Sequence, residues 1–317
     1  VGVTNDPSAG LKRVNYTYEF QGDKFKWGIG GYDANGNISS LVSYKGDETV
    51  YDNFTAYNYT TNTNMLASVN VNTTATHGTY MYNASGQTTE EHVAAEGEEH
   101  DYYYTYNAAG LLTHVYNDPD KTDPEHLVTR HHYNERGQRY RTDNYVEGSI
   151  NNTTLYVYDA TGNLLGILYG VPGQRQVGSI DRFMYGTGRV GQRSKAYTLQ
   201  ASDDDSYEIS DHLGNVRATF NRDPATGNPT LLSARDYYPG GATMPGRDYV
   251  FTGQEHRFGY QGQYALDNTS WNTNETKQLG TLHFSLRDYH SRILRWDNPD
   301  PKKQHFSPYL AMGNNWA

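Results

Sequence analysis

Along much of the chain, aromatic and polar positions alternate with period two. Tyr80/Tyr82, Tyr104/Tyr106, Tyr156/Tyr158 and Phe183/Tyr185 each set two rings on one face of an extended segment. Such segments lead directly into turns. Tyr32-Asp33-Ala34-Asn35-Gly36-Asn37-Ile38 is matched by Tyr82-Asn83-Ala84-Ser85-Gly86-Gln87, Tyr106-Asn107-Ala108-Ala109-Gly110-Leu111, Tyr133-Asn134-Glu135-Arg136-Gly137-Gln138 and Tyr158-Asp159-Ala160-Thr161-Gly162-Asn163. The shared pattern is Tyr, Asp or Asn, two variable residues, then Gly. An Asx side chain caps its own turn and Gly supplies the φ > 0 position. Strand, Gly turn and strand make a hairpin. No long i, i+3, i+4, i+7 stripe competes with this pattern, so little helix is predicted.

The unit recurs. Weaker members at Tyr59, Tyr185, Ser210-Asp211-His212-Leu213-Gly214 and Tyr238-Pro239-Gly240-Gly241 complete a series from Tyr32 with spacings of 27, 23, 24, 27, 25, 27, 25 and 28 residues. One hairpin cannot bury its aromatic face alone, but stacked neighbours can. The prediction is all-β: an array of hairpins forming a continuous twisted sheet, with the tyrosines as core and cross-strand pairs. Residues 258–286 read as an insertion, with Trp271-Asn272-Thr273-Asn274-Glu275 as loop. The Pro-rich run from Asp297 to Gln304 reads as extended chain or turns.

Composition sharpens this picture. A mean hydropathy of -0.86 with 35% hydrophobic residues points towards disorder, but 14% aromatic content, dominated by 30 Tyr, points the other way. A tyrosine buries a large ring and keeps a polar tip, so a core can form in a hydrophilic-looking chain. The net charge of -10 argues against a nucleic-acid binder, which needs a basic face. The absence of Cys excludes disulfides, zinc thiolates and Cys nucleophiles. No apolar run reaches the roughly 18–20 residues of a membrane helix. No signal-peptide pattern opens the chain, and a start at Val1 reads as an excised or processed piece.

The Tyr-Asp-x-x-Gly-Asn units resemble the YD repeats of RHS proteins, which are shared with the C components of insecticidal toxin complexes and with teneurins. Asp211-His212-Leu213-Gly214-Asn215-Val216-Arg217 resembles that family's DHLG-S/N-VR signature. Phe251-Thr252-Gly253-Gln254-Glu255, then Arg287 to Pro301 and Ser307-Pro308-Tyr309 to Asn315, is similar to the RHS repeat-associated core. The resemblance implies a spiral of β-hairpins over 1–245 that forms a curved sheet or hollow shell, closed by a core plug over 246–317. It implies a shell that encloses and delivers a C-terminal effector lying outside this chain. Its implied partners are that effector, an immunity protein or a secretion apparatus, and its implied location is secreted or cell surface. It also implies an intramolecular aspartyl protease acting once in cis, with Arg287, Asp288 and Asp300 at the matching positions. Where the family core usually carries Gly, this chain has Leu294; where it carries Asp-Pro, this chain has His290-Ser291.

The protease chemistry is sound in principle. Two neighbouring carboxylates do not both ionise easily, so one retains a proton and serves as acid while the other serves as base. An arginine orients one of them. The competing reading makes Arg287, Asp288 and Asp300 an ion pair and a turn of the plug. His131-His132 occupy adjacent, opposite-facing strand positions, which does not suit shared metal ligation. Asp118, Asp120 and Asp123, and Asp203-Asp204-Asp205, lack calcium-loop spacing and read as solvated acidic loops. The sequons at Asn15, Asn53, Asn72, Asn83 and Asn152 follow from an Asn/Thr-rich composition. No cofactor or metal motif is present. A third reading is a cell-contact module that stacks glycans on an exposed aromatic such as Trp271.

Overall fold

The structure, a computed structural model, describes residues 14–20, 23–46, 49–71, 75–94, 99–170, 177–196, 204–250, 256–265, 281–284 and 287–315. Asn72, Asp203, Trp271 and the 251–255 motif, all singled out above, lie outside the described residues. The protein is all-β: among the described residues there are twenty-three strands and three short 3-10 turns. Two compact units emerge. Unit 1 comprises 1–102, 236–248 and 269–317, and unit 2 comprises 103–235 and 249–268. The region after 245 therefore contributes to both.

In unit 1, seven strands follow one another: β1 (Val14–Phe20), β2 (Asp23–Tyr32), β3 (Ile38–Tyr44), β4 (Val50–Tyr59), β5 (Leu66–Val71), β6 (Ala75–Tyr82) and β7 (Thr88–Val93). Each pairs antiparallel with the next. Strand β8 (His100–Tyr106) is divided between the units after Tyr102. In unit 2 its second half pairs with β9 (Leu112–Tyr116). The meander continues through β10 (Leu127–Tyr133), β11 (Arg139–Val146), β12 (Ser149–Tyr158), β13 (Leu164–Gly170), β14 (Val177–Tyr185), β15 (Arg189–Ala196), β16 (Asp204–Ser210), β17 (Val216–Arg222) and β18 (Pro229–Tyr237). The remaining strands are β19 (Thr243–Val250), β20 (Tyr264–Ala265), β21 (Thr281–His283), β22 (Asp288–His290) and β23 (Arg295–Trp296).

The turns are built as their sequence predicts. Asp33 Oδ1 accepts from the N–H groups of Asn35 (2.9 Å) and Asn37 (2.8 Å), and Gly36 N–H donates to Asp33 O, with Gly36 at φ +82°. Asn83, Asn107, Asn134, Asp159 and Asp211 repeat the arrangement with the N–H groups two and four residues on. A register shift precedes the turn in each hairpin, for example between Met81 and Tyr82, His132 and Tyr133, and Val157 and Tyr158. That bulge bends the strand and strengthens its twist just before the chain reverses.

Alternation along the strands sets the core. In β6 Tyr80 is buried and Met81 exposed; in β12 Tyr156 is buried and Val157 exposed. Strand β8 departs from the expected pair: Tyr103, not Tyr104, is the buried ring, and Lys121 Nζ from the following loop lies 5.8 Å from its centroid. Unit 1 buries Trp27, Ile29, Leu41, Phe54, Leu66 and Val69. Unit 2 is centred on Tyr156, Ile167, Phe183, Val216, Phe258 and Tyr264.

Four of the tyrosines that open turns also hydrogen-bond back along the array. Tyr59 Oη donates to Ile38 O (2.7 Å), Tyr133 to Leu112 O (2.7 Å), Tyr158 to Arg139 O (2.9 Å) and Tyr185 to Leu164 O (2.6 Å). Each hydroxyl thus reaches the strand that begins after the preceding turn. The spacing near 25 residues is the length of chain needed to bring the next tyrosine over that carbonyl.

Candidate functional site

The chemistry-bearing residues of the C-terminal segment, 281–315, gather in unit 1. Strands β21, β22 and β23 pair antiparallel in series, with His283 opposite Asp288, Thr281 opposite His290, and Tyr289 opposite Trp296. Tyr289 is fully buried and donates from Oη to Gly240 O (2.8 Å). Phe284, Tyr289 and Trp296 form an aromatic cluster, and Trp296 Nε1 donates to Leu310 O (3.0 Å).

This segment is seated on the turns of the array. Asn314 Nδ2 donates to Gly36 O (2.9 Å), Arg295 Nη2 donates to Asn64 O (2.7 Å), and Tyr309 Oη donates to Gly86 O. Three successive turns each receive one side chain. The Arg295 guanidinium also lies 5.2 Å from the Tyr59 ring and 4.9 Å from the Tyr309 ring. In return, Asn64 Nδ2 donates to Phe306 O, and Thr88 donates to Asp297 O from both its N–H and its hydroxyl. Burial pushes the Tyr59 phenol up to about 12, so it stays a hydrogen-bond donor far above neutrality.

The three residues implied by the family resemblance have separate engagements here. Arg287 lies with its Cζ 4.2 Å from the Trp296 ring centroid and donates to Pro308 O (3.4 Å). Burial lowers its pKa, and the charge of Asp300 opposes that. Asp288 is buried, and its Oδ1 lies 2.7 Å from His283 Nδ1. Asp300 caps a turn, accepting from the N–H groups of Lys302 (3.0 Å) and Gln304 (3.2 Å). Burial pulls its pKa upward, but those donors and Arg287 prevail, so its carboxyl lies below the ordinary range and stays ionised.

A second set of titratable groups, which the sequence did not single out, surrounds Asp288. His290 Nε2 lies 2.9 Å from Asp297 Oδ1 and 3.7 Å from Glu91 Oε2 of β7, and Glu91 Oε1 lies 3.9 Å from His100 Nε2. Burial acts to lower the His290 pKa, but Asp297 and Glu91 outweigh it and raise it to about 10. Burial raises Asp297 to about 6, helped by Asp288 and Glu91 and opposed by His290. The available signal was Glu91 itself, a carboxylate at an inward position of a strand, where a charge needs a partner.

Leu294 takes φ +60°, a backbone conformation that favours glycine, and it is buried. A Cβ built on Gly240 falls within 1.9 Å of Leu294 Cδ2, so the two residues are fitted to each other.

Unit 2 holds the segment 256–265 by a parallel device. Glu208 Oε1 lies 2.6 Å from Arg189 Nε and 3.2 Å from His256 Nε2. Burial raises Glu208, but His256 and Arg189 overcome it, and its carboxyl lies below the usual range. Gln261 N–H donates to Asn215 Oδ1, Val216 N–H to Gly259 O, and the Phe258 ring lies edge-on to Phe183.

The other singled-out residues are accounted for locally. His131 bonds Thr142 Oγ1 (3.0 Å), whereas His132 meets Asp143 (3.1 Å). Asp118, Asp120 and Asp123 each accept a backbone N–H two residues on, and Asp205 pairs with Arg193. Among the described residues, no group of three or more His, Cys, Asp or Glu is placed to hold a metal ion, and no helix is long and apolar enough to cross a membrane.

No protein-family profile and no curated protein matches the chain. Among solved structures it is similar to the crystal structure of TcdB2-TccC3-Cdc42, with 14% identity over 92% of this chain and a TM-score of 0.39. It is likewise similar to the Photorhabdus luminescens Tc holotoxin pore carrying a TccC3 mutation, with 13% identity over 100% of this chain and a TM-score of 0.37. The chain spans 18% of the length of each of these chains.

Proposed function

We propose that the chain is a wall element of an RHS-type shell whose task is to enclose and deliver a C-terminal effector encoded beyond it, in a secreted or cell-surface setting. The supporting observation is the seating of 281–315 on three successive array turns, through Asn314, Arg295 and Tyr309. Side chains of that segment are spent on holding it to the hairpins, which is what a closure needs and a solvent-facing substrate cleft does not. The test is limited proteolysis of the full-length gene product beside its isolated downstream domain. The expected result is slow digestion of the downstream domain while the array is intact. Digestion at the rate of the isolated domain overturns the reading.

The second reading is a self-cleaving aspartyl protease with Arg287, Asp288 and Asp300 in the active site. Its support is the burial of Asp288 at the centre of a carboxylate–histidine group. Against it stands Asp300, which is engaged in its own turn and held ionised. Intact mass of the full-length product decides. Cleavage that both Asp288→Asn and Asp300→Asn abolish establishes the protease; an uncut wild type makes the three residues structural.

A further inference from the structure

Beside the Thr88 hydrogen bonds to Asp297 O, the contact between β7 of the array and the C-terminal segment is ionic, buried and centred on one imidazole. Glu91 comes from the array, His290 and Asp297 from the returning segment, and all three side chains are largely withdrawn from water. We propose that Glu91, His290 and Asp297 form a pH-governed latch: it holds the C-terminal segment on the unit 1 hairpins while His290 carries its proton, and alkali releases it.

The groups facing His290 come from every element around it. From β7 comes Glu91, itself 3.9 Å from His100 of β8. From β21 come Thr281, whose hydroxyl lies 3.5 Å from His290 Nδ1, and His283, which is bonded to Asp288. From β22 comes Asp288, from β23 comes Arg295, which is opposite His290 in register and donates to Asn64 O, and from the chain after β23 comes Asp297. Tyr80 of β6 adjoins both Glu91 and Asp297, and burial keeps its phenol protonated well above the ordinary tyrosine range. The cluster is therefore rich in carboxylates, and the imidazolium is what reconciles Glu91 with Asp297. When hydroxide takes the imidazolium proton, two buried carboxylates are left facing a neutral ring and each other, which is a costly arrangement.

The direction follows from linkage. A histidine raised to about 10 gives stability that is fully present below its unfolded value of about 6.5 and is lost as pH climbs through 10. Asp297, raised to about 6, acts in the same direction: its contribution grows as pH falls through 6 towards the unfolded value. The latch tightens in mild acid and opens in alkali. The tyrosines that clamp the same segment do not confuse the reading, since Tyr59 titrates only near 12 and burial also raises Tyr82 and Tyr309.

The test is hydrogen exchange of the intact chain, read by mass spectrometry and normalised to intrinsic rates, at neutral pH and at stepped pH through about 10. Peptides covering 288–297 and 307–315 are expected to lose at least about tenfold in protection, while array peptides in 66–71 keep theirs. His290→Gln, which keeps a donor but cannot titrate, is expected to show the loosened state already at neutral pH, with no further step. Glu91→Gln is the second variant and is expected to move the midpoint to lower pH. Unchanged protection in the wild type overturns the latch, as does a midpoint that neither variant moves.

Discussion

A phenol joins two chemistries in one side chain: the ring fills a core and the hydroxyl must find an acceptor when buried. In this chain the acceptor is a strand carbonyl one hairpin away, and the cost of removing the hydroxyl can be set against that of removing the ring. Tyr133→Phe keeps the ring and strands Leu112 O, so a loss of about 1–2 kcal/mol in urea denaturation is expected. Tyr133→Ala is expected to lose clearly more, because a cavity is added. Leu294 poses a sharper contest. Its left-handed backbone costs about 1–2 kcal/mol, which glycine would relieve. Its buried side chain is worth about 2–5 kcal/mol. Burial wins, so Leu294→Gly is expected to destabilise by a net of about 1–3 kcal/mol; a rise in the denaturation midpoint would show that strain dominates.

The hairpin turn is the element whose logic is most local. Asp33→Ala removes acceptors for two backbone N–H groups and for Asn37 Nδ2, and a loss of about 1–2 kcal/mol is expected by thermal or urea denaturation. Gly86 is held at φ +82°, and an added Cβ would sit 2.6 Å from Tyr309 Oη, so Gly86→Ala is expected to weaken both the turn and the docking of Tyr309. Gly188→Ala meets nothing within 4 Å and is expected to stay within about 0.5 kcal/mol of wild type. The same locality explains what could be read in advance. Asx and Gly three residues apart determine their turn whatever surrounds them, so the hairpins, the repeat and the all-β class were legible. The target of each tyrosine hydroxyl was not, because it lies about twenty residues back and depends on how hairpins stack. Nor was the burial of Tyr103 over Tyr104, which depends on what packs over β8 from elsewhere in the chain. Of the cluster around His290, Glu91 alone gave a signal, because it sits in the array and its partners arrive with the C-terminal segment.

At the scale of the whole molecule, the two units answer acid differently. Unit 2 rests on Glu208, whose pKa is depressed, so its contribution is full above the unfolded value of about 4.5 and is lost as pH falls further. Unit 1 gains from Asp297 as pH falls through 6. Peptide-resolved exchange in mild acid is expected to find 288–297 held or tightened while 256–265 begins to open near pH 4; simultaneous opening of both would contradict these assignments. The seating of the last segment on the first turns also has a consequence in time. Tyr309 and Gly86 are 223 residues apart, and Asn314 and Gly36 are 278 apart. At about 5–20 residues per second of synthesis, the early hairpins wait roughly 10–55 s on the ribosome with their turn carbonyls wet and their docking aromatics absent. For that interval the nascent array is an unfinished surface, and the arrival of residues 281–315 determines when the waiting ends.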